Sequence, residues 1–338
     1  IRVQSYENWE VLVLPDADCS IGGLDDCSIA GGDSARAQTI EQSNNPNNQT
    51  IRVIPTGKVR PAEKRNLGIR EAKGEIVAFI DDDAYPEAHW LEYAVKYFGE
   101  RDIGAVGGPG VTPPGDTRLA YLGGRVYDNW LVSGNYHYRY RAGGVRMDVE
   151  DYPSCNLFVR KDVLDRIGGY RTDFWPGEDT LLCKDIIDNW KRIIYDPWVV
   201  VYHHRRPLFL PHLRQLGRYA FHRGYFCKRF PSNSLRLSYF IPTLFDLYIL
   251  VLAVVGILNL TGIESLRITF HRWGGYLPFW IYLTLVAVTS FSLKPHHWIL
   301  TAAGVISSHV WYGIRFIQGL CAKKAPCEYI GGDHAQGK

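Results

Sequence analysis

Apolar residues fall into two kinds of run along this chain. Up to about residue 200 the runs are short and separated by polar stretches. From Tyr239 to Leu320 apolar residues dominate. Short runs rich in β-branched residues read as strands, and stripes with the helical period read as helices. Strands are therefore predicted at Trp9–Leu14, Ile51–Ile54, Ile76–Ile80, Gly104–Gly107 and Val199–Tyr202. A helix is predicted over Pro61–Ala72, ended by Gly74, and another over Pro86–Phe98 with Trp90, Leu91, Ala94, Val95 and Phe98 on its apolar stripe. This alternation implies an α/β fold with a doubly wound, mostly parallel sheet. Residues 20–50 are rich in Gly, Ser, Asn and Gln and read as a loop. Residues 112–152 are aromatic and irregular in pattern, a substrate-facing excursion or a surface insertion.

Ile76–Ile80 is apolar on both faces, the pattern of a buried parallel strand. It runs directly into Asp81-Asp82-Asp83. Open α/β sheets present their ligands at the carboxyl ends of strands. Three adjacent carboxylates repel one another unless a positive charge sits among them, and a hard divalent cation is the natural partner. The alternative is a solvated acidic turn that caps the next helix. Other polar groups stand at corresponding points: Asp16 after the first strand, Glu178-Asp179 at a helix start where the dipole favours acids, and His203 after Val199–Tyr202.

The formal net charge of +3 argues against a strongly basic nucleic-acid binder. The seven cysteines include no CxxC pair, so neither a zinc site nor a disulfide framework is indicated, and reduced thiols in a cytoplasmic compartment fit. The chain begins at Ile1 with no Met and no signal pattern, which reads as a fragment without its true N-terminus.

Charge is distributed unevenly. No acid occurs between Asp196 and Asp246, whereas Arg205, Arg206, Arg214, Arg218, Arg223, Lys228, Arg229 and Arg236 do. Leu208, Leu210, Leu213, Leu216, Tyr219 and Phe226 are interleaved with them. Such a segment before an apolar span reads as lying on an anionic membrane face. Tyr239–Leu260, Tyr276–Leu293 and Trp298–Leu320 are each near the roughly 20 residues that a crossing needs, so about three transmembrane helices are expected. Asp246, His309 and Arg315 lie within them. The basic cluster puts the N-terminal domain on the cytoplasmic side of a cell (inner or plasma) membrane. Three crossings would leave Lys323-Lys324 outside, against the same rule, so a re-entrant or interfacial segment is the other arrangement. The expected organisation is a domain at 1–205, an interfacial segment at 206–238, membrane helices at 239–320 and a polar tail at 321–338.

Taken together, Asp16, Arg65, Asp81–Asp83, Glu178-Asp179 and His203 suit transfer of a group from a nucleoside diphosphate donor. A cation on Asp83, with His203, would bind the diphosphate, and an acid remote in sequence would act as general base. Here the chain resembles the family 2 glycosyltransferases of GT-A fold. Glu10–Asp16 is similar to the family's strand that ends in acids, Lys64-Arg65-Asn66-Leu67-Gly68 to its Arg-Asn-x-Gly helix, and Asp81-Asp82-Asp83 to its DxD motif. Gly177-Glu178-Asp179 is similar to its Glu-Asp acceptor motif, and Gln215-Leu216-Gly217-Arg218-Tyr219 loosely to the Gln-x-x-Arg-Trp motif of membrane-bound synthases. The resemblance spans about residues 1–235, and the apolar tail, with Ser308–Gly313, also resembles bacterial and archaeal members that build surface polysaccharides or glycolipids.

The resemblance implies a metal-dependent, inverting glycosyltransferase with a nucleotide-sugar donor, a saccharide or lipid-linked acceptor, membrane lipids as partners and no nucleic acid. Asp16 and Arg65 would contact the nucleoside and Asp82 the ribose. Asn66, Asp81 and Asn156 would belong to the donor site. Asp83, with Asp81 and His203, would hold Mg2+ or Mn2+. Asp179 would deprotonate the acceptor hydroxyl, Glu178 would orient the acceptor or Asp179, and Gln215, Arg218 and Tyr219 would face the acceptor or the interface. Pro15 replaces the first of the usual paired acids, Tyr219 stands where Trp is usual, and the family's first strand would lie before Ile1. A polyprenyl-phosphate glycosyl synthase and a non-catalytic membrane scaffold are the competing readings.

Overall fold

The computed structural model describes residues 4–6, 8–16, 38–40, 50–260 and 274–324. Most of the expected loop at 20–50 and the tail beyond Lys324 lie outside these residues. In chain order the strands and helices are β1 (Glu10–Val13), β2 (Gln38–Ile40), β3 (Thr50–Val53), α1 (Pro61–Glu71), β4 (Ile76–Ile80), β5 (Ala84–Pro86), α2 (Trp90–Val95), β6 (Ile103–Gly107) and β7 (Gly110–Val111). Then follow α3 (Arg118–Asp128), α4 (Trp130–Ser133), β8 (Met147–Val149), β9 (Asn156–Arg160), α5 (Lys161–Ile167), α6 (Glu178–Asp188), β10 (Arg192–Tyr195) and β11 (Val201–His203). The remainder is helical: α7 (Leu210–Arg229), α8 (Pro231–Ser234), α9 (Ile241–Leu260), α10 (Leu277–Thr289) and α11 (Pro295–Cys321).

The chain forms two compact units. The first contains residues 1–108 and 145–201. Its sheets run β1-β3-β2 and β4-β9-β6-β10-β8. β1 and β3 are parallel, as are β6 and β10. β9 enters antiparallel between β4 and β6, so the sheet is mixed. β4, β6 and β10 all run antiparallel to β9 or parallel to one another, which brings their carboxyl ends to one rim. That rim carries Asp81, Gly108 and Asp196. The core is Trp90, Ala94, Tyr97, Phe98, Ile103, Val106, Phe158, Ile194, Val199 and Val201.

Local chemistry explains the elements around the rim. Pro61 opens α1, and Glu63 accepts the Arg60 N–H at 3.0 Å, closing its first turn. Gly177 adopts φ +117° immediately before α6, a conformation that favours glycine. At the end of β6, a Cβ on Gly108 would lie 1.9 Å from the Val199 carbonyl oxygen, so the strand approaches residue 199 only with glycine there.

Three expectations change. β4 is half-buried rather than fully buried, with Phe79 its one buried residue, because it is the edge strand of its sheet, with β9 on one side. The helix expected from Pro86 starts at Trp90, because Ala84–Pro86 is extended, the conformation favoured before proline. Residues 112–152 are not irregular throughout: Thr117 caps α3, whose Ala120, Gly124 and Tyr127 form a buried stripe.

The second unit contains residues 109–144 and 202–325. Leu122, Val126, Leu208, Val286 and Val305 form its core. α7 and α11 pack closely through glycine: a Cβ on Gly224 would meet the Phe316 carbonyl oxygen at 2.0 Å, and one on Gly319 the Phe221 oxygen at 1.8 Å. Among the described residues, one helical stretch, Leu237–Leu258, is long and apolar enough to cross a membrane by length and composition. α10 is apolar but has 13 residues.

Candidate active site

The acid cluster at the end of β4 forms a tight turn. The Asp81 carbonyl accepts the Ala84 N–H at 3.1 Å, which places Asp82 and Asp83 at the corners. Asp82 is exposed, and Asp81 and Asp83 are half-buried. Asp81 and Asp83 each offer a carboxylate oxygen within 4.8 Å of the other. Paired hard oxygen donors of this kind fit a divalent cation such as Mg2+ or Mn2+.

Arg65 links this turn to the start of α6. Its Nη2 lies 3.2 Å from Asp81 Oδ1, and its Nη1 lies 2.7 Å from Glu178 Oε1. Glu178 is 5% exposed, so its charge is supported by the guanidinium and by the N-terminal end of α6. Burial works against the Arg65 cation, but Tyr170, Asp81, Glu178 and Asp179 more than offset it and hold its pKa above the ordinary arginine value. Asp179, half-buried beside Glu178, accepts the Thr180 N–H on Oδ1 at 2.9 Å. The carboxylates of Asp179 and of the Arg65-paired Glu178 thus open α6, and Arg65 ties that start to the acid turn.

Tyr170 supports this arrangement and was not foreseen from the sequence. Arg65 lies over its ring at 5.4 Å from the centroid. Its hydroxyl donates to Ser154 Oγ at 2.9 Å, and its ring meets Phe79 edge-on at 5.2 Å. Burial raises the Tyr170 pKa, so it stays neutral. The Gly168-Gly169 pair before it was the available signal.

Two expected donor-site residues have structural partners instead. The Asn66 amide donates to the Tyr170 carbonyl at 2.8 Å and accepts the Tyr170 N–H at 2.7 Å. Asn156 is fully buried, accepts the Trp90 Nε1–H at 2.8 Å and donates to the carbonyls of Gly108 and Val199 at 2.5 and 2.7 Å. Its amide ties strand ends together and is closed to a sugar. Arg65, expected at a nucleoside, has both terminal nitrogens on carboxylates.

Asp16 lies just beyond β1, half exposed, in an ion pair with Lys64. His203 ends β11 in the second unit, where its Nδ1 lies 3.2 Å from Arg205 Nη1. Gln215, Arg218 and Tyr219 are on α7, also in the second unit, with Tyr219 exposed and the Arg218 carbonyl accepting from His222 Nδ1 at 3.0 Å.

Comparison with known proteins adds an independent finding. Residues 1–168 match the family model described as glycosyl transferase family 2. The pre-mycofactocin glycosyltransferase of Mycobacterium tuberculosis is 28% identical over 179 residues, covering 48% of this chain and 33% of that protein. The glucosyl-dolichyl phosphate glucuronosyltransferase of Haloferax volcanii is 26% identical over 175 residues, covering 51% of this chain and 49% of that protein. The matches thus span a third to a half of those curated relatives. Among solved structures, the mannosyltransferase PcManGT from Pyrobaculum calidifontis, in complex with GDP-Man and Mn2+, aligns over 82% of this chain and 70% of that one, with a TM-score of 0.43 and 19% identity.

Proposed function

We propose that this chain, whose residues 1–168 match the glycosyl transferase family 2 model, moves a sugar from a nucleoside diphosphate to a hydroxyl of a membrane-associated saccharide or lipid-linked acceptor. The observation that carries this reading is Arg65, which joins the acid turn after β4 to the acid pair that opens α6. Donor-side and acceptor-side chemistry then meet at one place.

Asp83 and Asp81 would hold Mg2+ or Mn2+, with His203 as the third ligand expected from the sequence. When bound, the ion supplies positive charge against a diphosphate. Asp82, at the exposed corner, would take a ribose hydroxyl, and Asp16 the nucleoside. Arg65 pairs with both Asp81 and Glu178 and fixes them in position. Asp179 accepts the proton of the acceptor hydroxyl. The acceptor oxygen forms a bond to the anomeric carbon as the bond to the diphosphate oxygen breaks. With one displacement the configuration inverts. Glu178, held by Arg65, orients its neighbour Asp179.

The membrane setting is supported by the acid-free stretch between Asp196 and Asp246 and by the apolar Leu237–Leu258 helix. The relative named for glucosyl-dolichyl phosphate favours a lipid-linked acceptor. It also keeps a polyprenyl-phosphate acceptor as the second reading, in which the acceptor is already an anion and needs no strong base. The test is incubation of the full chain in membranes with a panel of nucleotide sugars and either cation, with products read by mass spectrometry. Release of nucleoside diphosphate with a glycosylated membrane product is expected. A folded chain that turns over no donor with either cation would overturn the proposal.

A further inference from the structure

Within the helical unit α7 and α11 run parallel and in step. His212 Nε2 lies 3.0 Å from Ser308 Oγ. One and a half turns on, Arg315 Nε donates to the Gly217 carbonyl at 3.4 Å, and Gly217 backs onto Trp311. Gly224 then faces Phe316. At the far end Lys228 Nζ donates to the Ala322 carbonyl at 2.6 Å, one residue past the last of α11. Lys228 thereby satisfies a carbonyl that the end of a helix leaves open. Wherever α7 ends, α11 ends beside it.

α7 carries Arg214, Arg218, Arg223, Lys228 and Arg229 along its length. Cations at this spacing make a hydrocarbon crossing costly. The first half of α11 is held by α3, another helix with charged residues: a Cβ on Gly304 would meet Val126 at 2.7 Å, and His297 lies 5.9 Å from the Tyr121 ring. Both halves of α11 are therefore packed on charged helices, where the sequence led to the expectation of a crossing at Trp298–Leu320.

The apolar excursion lies elsewhere. α9 exposes Leu244, Leu247, Leu250, Val251, Val254 and Ile257. The chain is back beside α9 at Gly275, whose carbonyl accepts the Tyr248 hydroxyl at 2.8 Å, and the Tyr282 ring stands 4.2 Å from Phe245. The return lies beside the first half of α9, the half that follows its start.

We infer that α7 and α11 lie together in the headgroup layer of an anionic bilayer, that α9 and α10 insert and return, and that the chain enters and leaves on one face. The partner is the anionic lipid surface, chosen by the cations of a segment with no acid between Asp196 and Asp246. Lys323 and Lys324 then share the face of the α7 cations, which satisfies the positive-inside rule that three crossings would break. This inference rests on the membrane reading above.

Cys321 is exposed at the end of α11 and serves as its own reporter. An exposed α7 position is reported by Arg214→Cys, or by Leu210→Cys should the first variant fail to accumulate. The full chain is expressed in cells, sealed vesicles of both orientations are prepared, and a membrane-impermeant maleimide is mapped by peptide mass. Cys321 and the α7 position are expected to label in the same vesicle orientation and to be protected in the other. Labelling of the two from opposite faces would show that α11 crosses and would overturn the inference. Carbonate washing of the same membranes tests the membrane reading separately: release of the chain would overturn both. Sugar transfer measured in the vesicles reports on catalysis independently of either result.

Discussion

Arg65 Nη1 lies 2.7 Å from Glu178 Oε1, although 113 residues separate the two in sequence. The contact fixes the start of α6 against α1, and through Asp81 it fixes the acid turn as well. Arg65→Met would leave the buried Glu178 carboxylate without its counterion, at a cost of about 3 kcal/mol. Arg65→Lys would reach one carboxylate and lose the other, because an ammonium cannot reproduce the guanidinium fork. Denaturant midpoints and transfer rates should fall in the order wild type, Lys, Met.

Asp179→Asn tests the base. The substituted amide oxygen still accepts the Thr180 N–H, so stability should change by less than about 0.5 kcal/mol. Transfer to a hydroxyl acceptor should fall by roughly 100- to 10,000-fold. Transfer that survives with a lipid phosphate acceptor would favour the second reading.

Chelation should abolish transfer, and either Mg2+ or Mn2+ should restore it. Asp83→Ala should remove cation binding, read by calorimetry with Mn2+ alone, while the far-ultraviolet circular dichroism spectrum stays unchanged. Undiminished Mn2+ affinity in Asp83→Ala would exclude this carboxylate as a ligand.

Asn156→Ala should act on folding rather than on donor affinity. It strips partners from the Trp90 indole and from the carbonyls of Gly108 and Val199, all at a fully buried position. A loss of about 3 kcal/mol is expected from buried polar groups left unpaired. Donor KM in the folded fraction should be unchanged, and a large rise in KM would return Asn156 to the sugar site.

His212 predicts a dependence of stability on pH. It is fully buried, faces Tyr127 and Ser308, and burial pushes its pKa down from 6.5 to about 4. The unfolded chain takes up the proton first as pH falls, so this contribution is complete above about pH 6.5 and is lost between there and pH 4. The loss is about 1.4 kcal/mol per unit, or roughly 3 kcal/mol in all. His212→Leu should flatten the melting temperature over that interval.

Much of the first unit was legible in its apolar runs. β1, β3, β4, β6 and α1 lie close to where strand and helix periods place them, and acids follow β1 and β4 and open α6. Direction was not legible: β9 was not among the expected strands, and nothing in a period-two pattern says that a strand runs against its neighbours. α3 was hidden by Gly123-Gly124, poor helix formers that are needed because Arg206 and Thr112 crowd that face. The site acids were legible as types at strand and helix ends. Their meeting through Arg65 was not, because it is a long-range contact between an arginine and a glutamate that each have many plausible partners. Asn66 and Asn156 read ambiguously for a related reason: an amide suited to a sugar is equally suited to the backbone carbonyls they bind here.

Asn66 and Arg65 are adjacent on α1, and each fixes one end of the same loop. Asn66 grips Tyr170 at its start, and Arg65 grips Glu178 at its finish. The seven residues from Arg171 to Gly177 are thus a span between two fixed posts. Such a span is a graftable cassette: with Gly177 kept for the turn into α6 and Arg171 for its pair with Asp185, a replacement that joins the same two posts would change the loop's surface without moving either of them. Exchange of acceptor preference between relatives would then need no change in the helix that holds both ends.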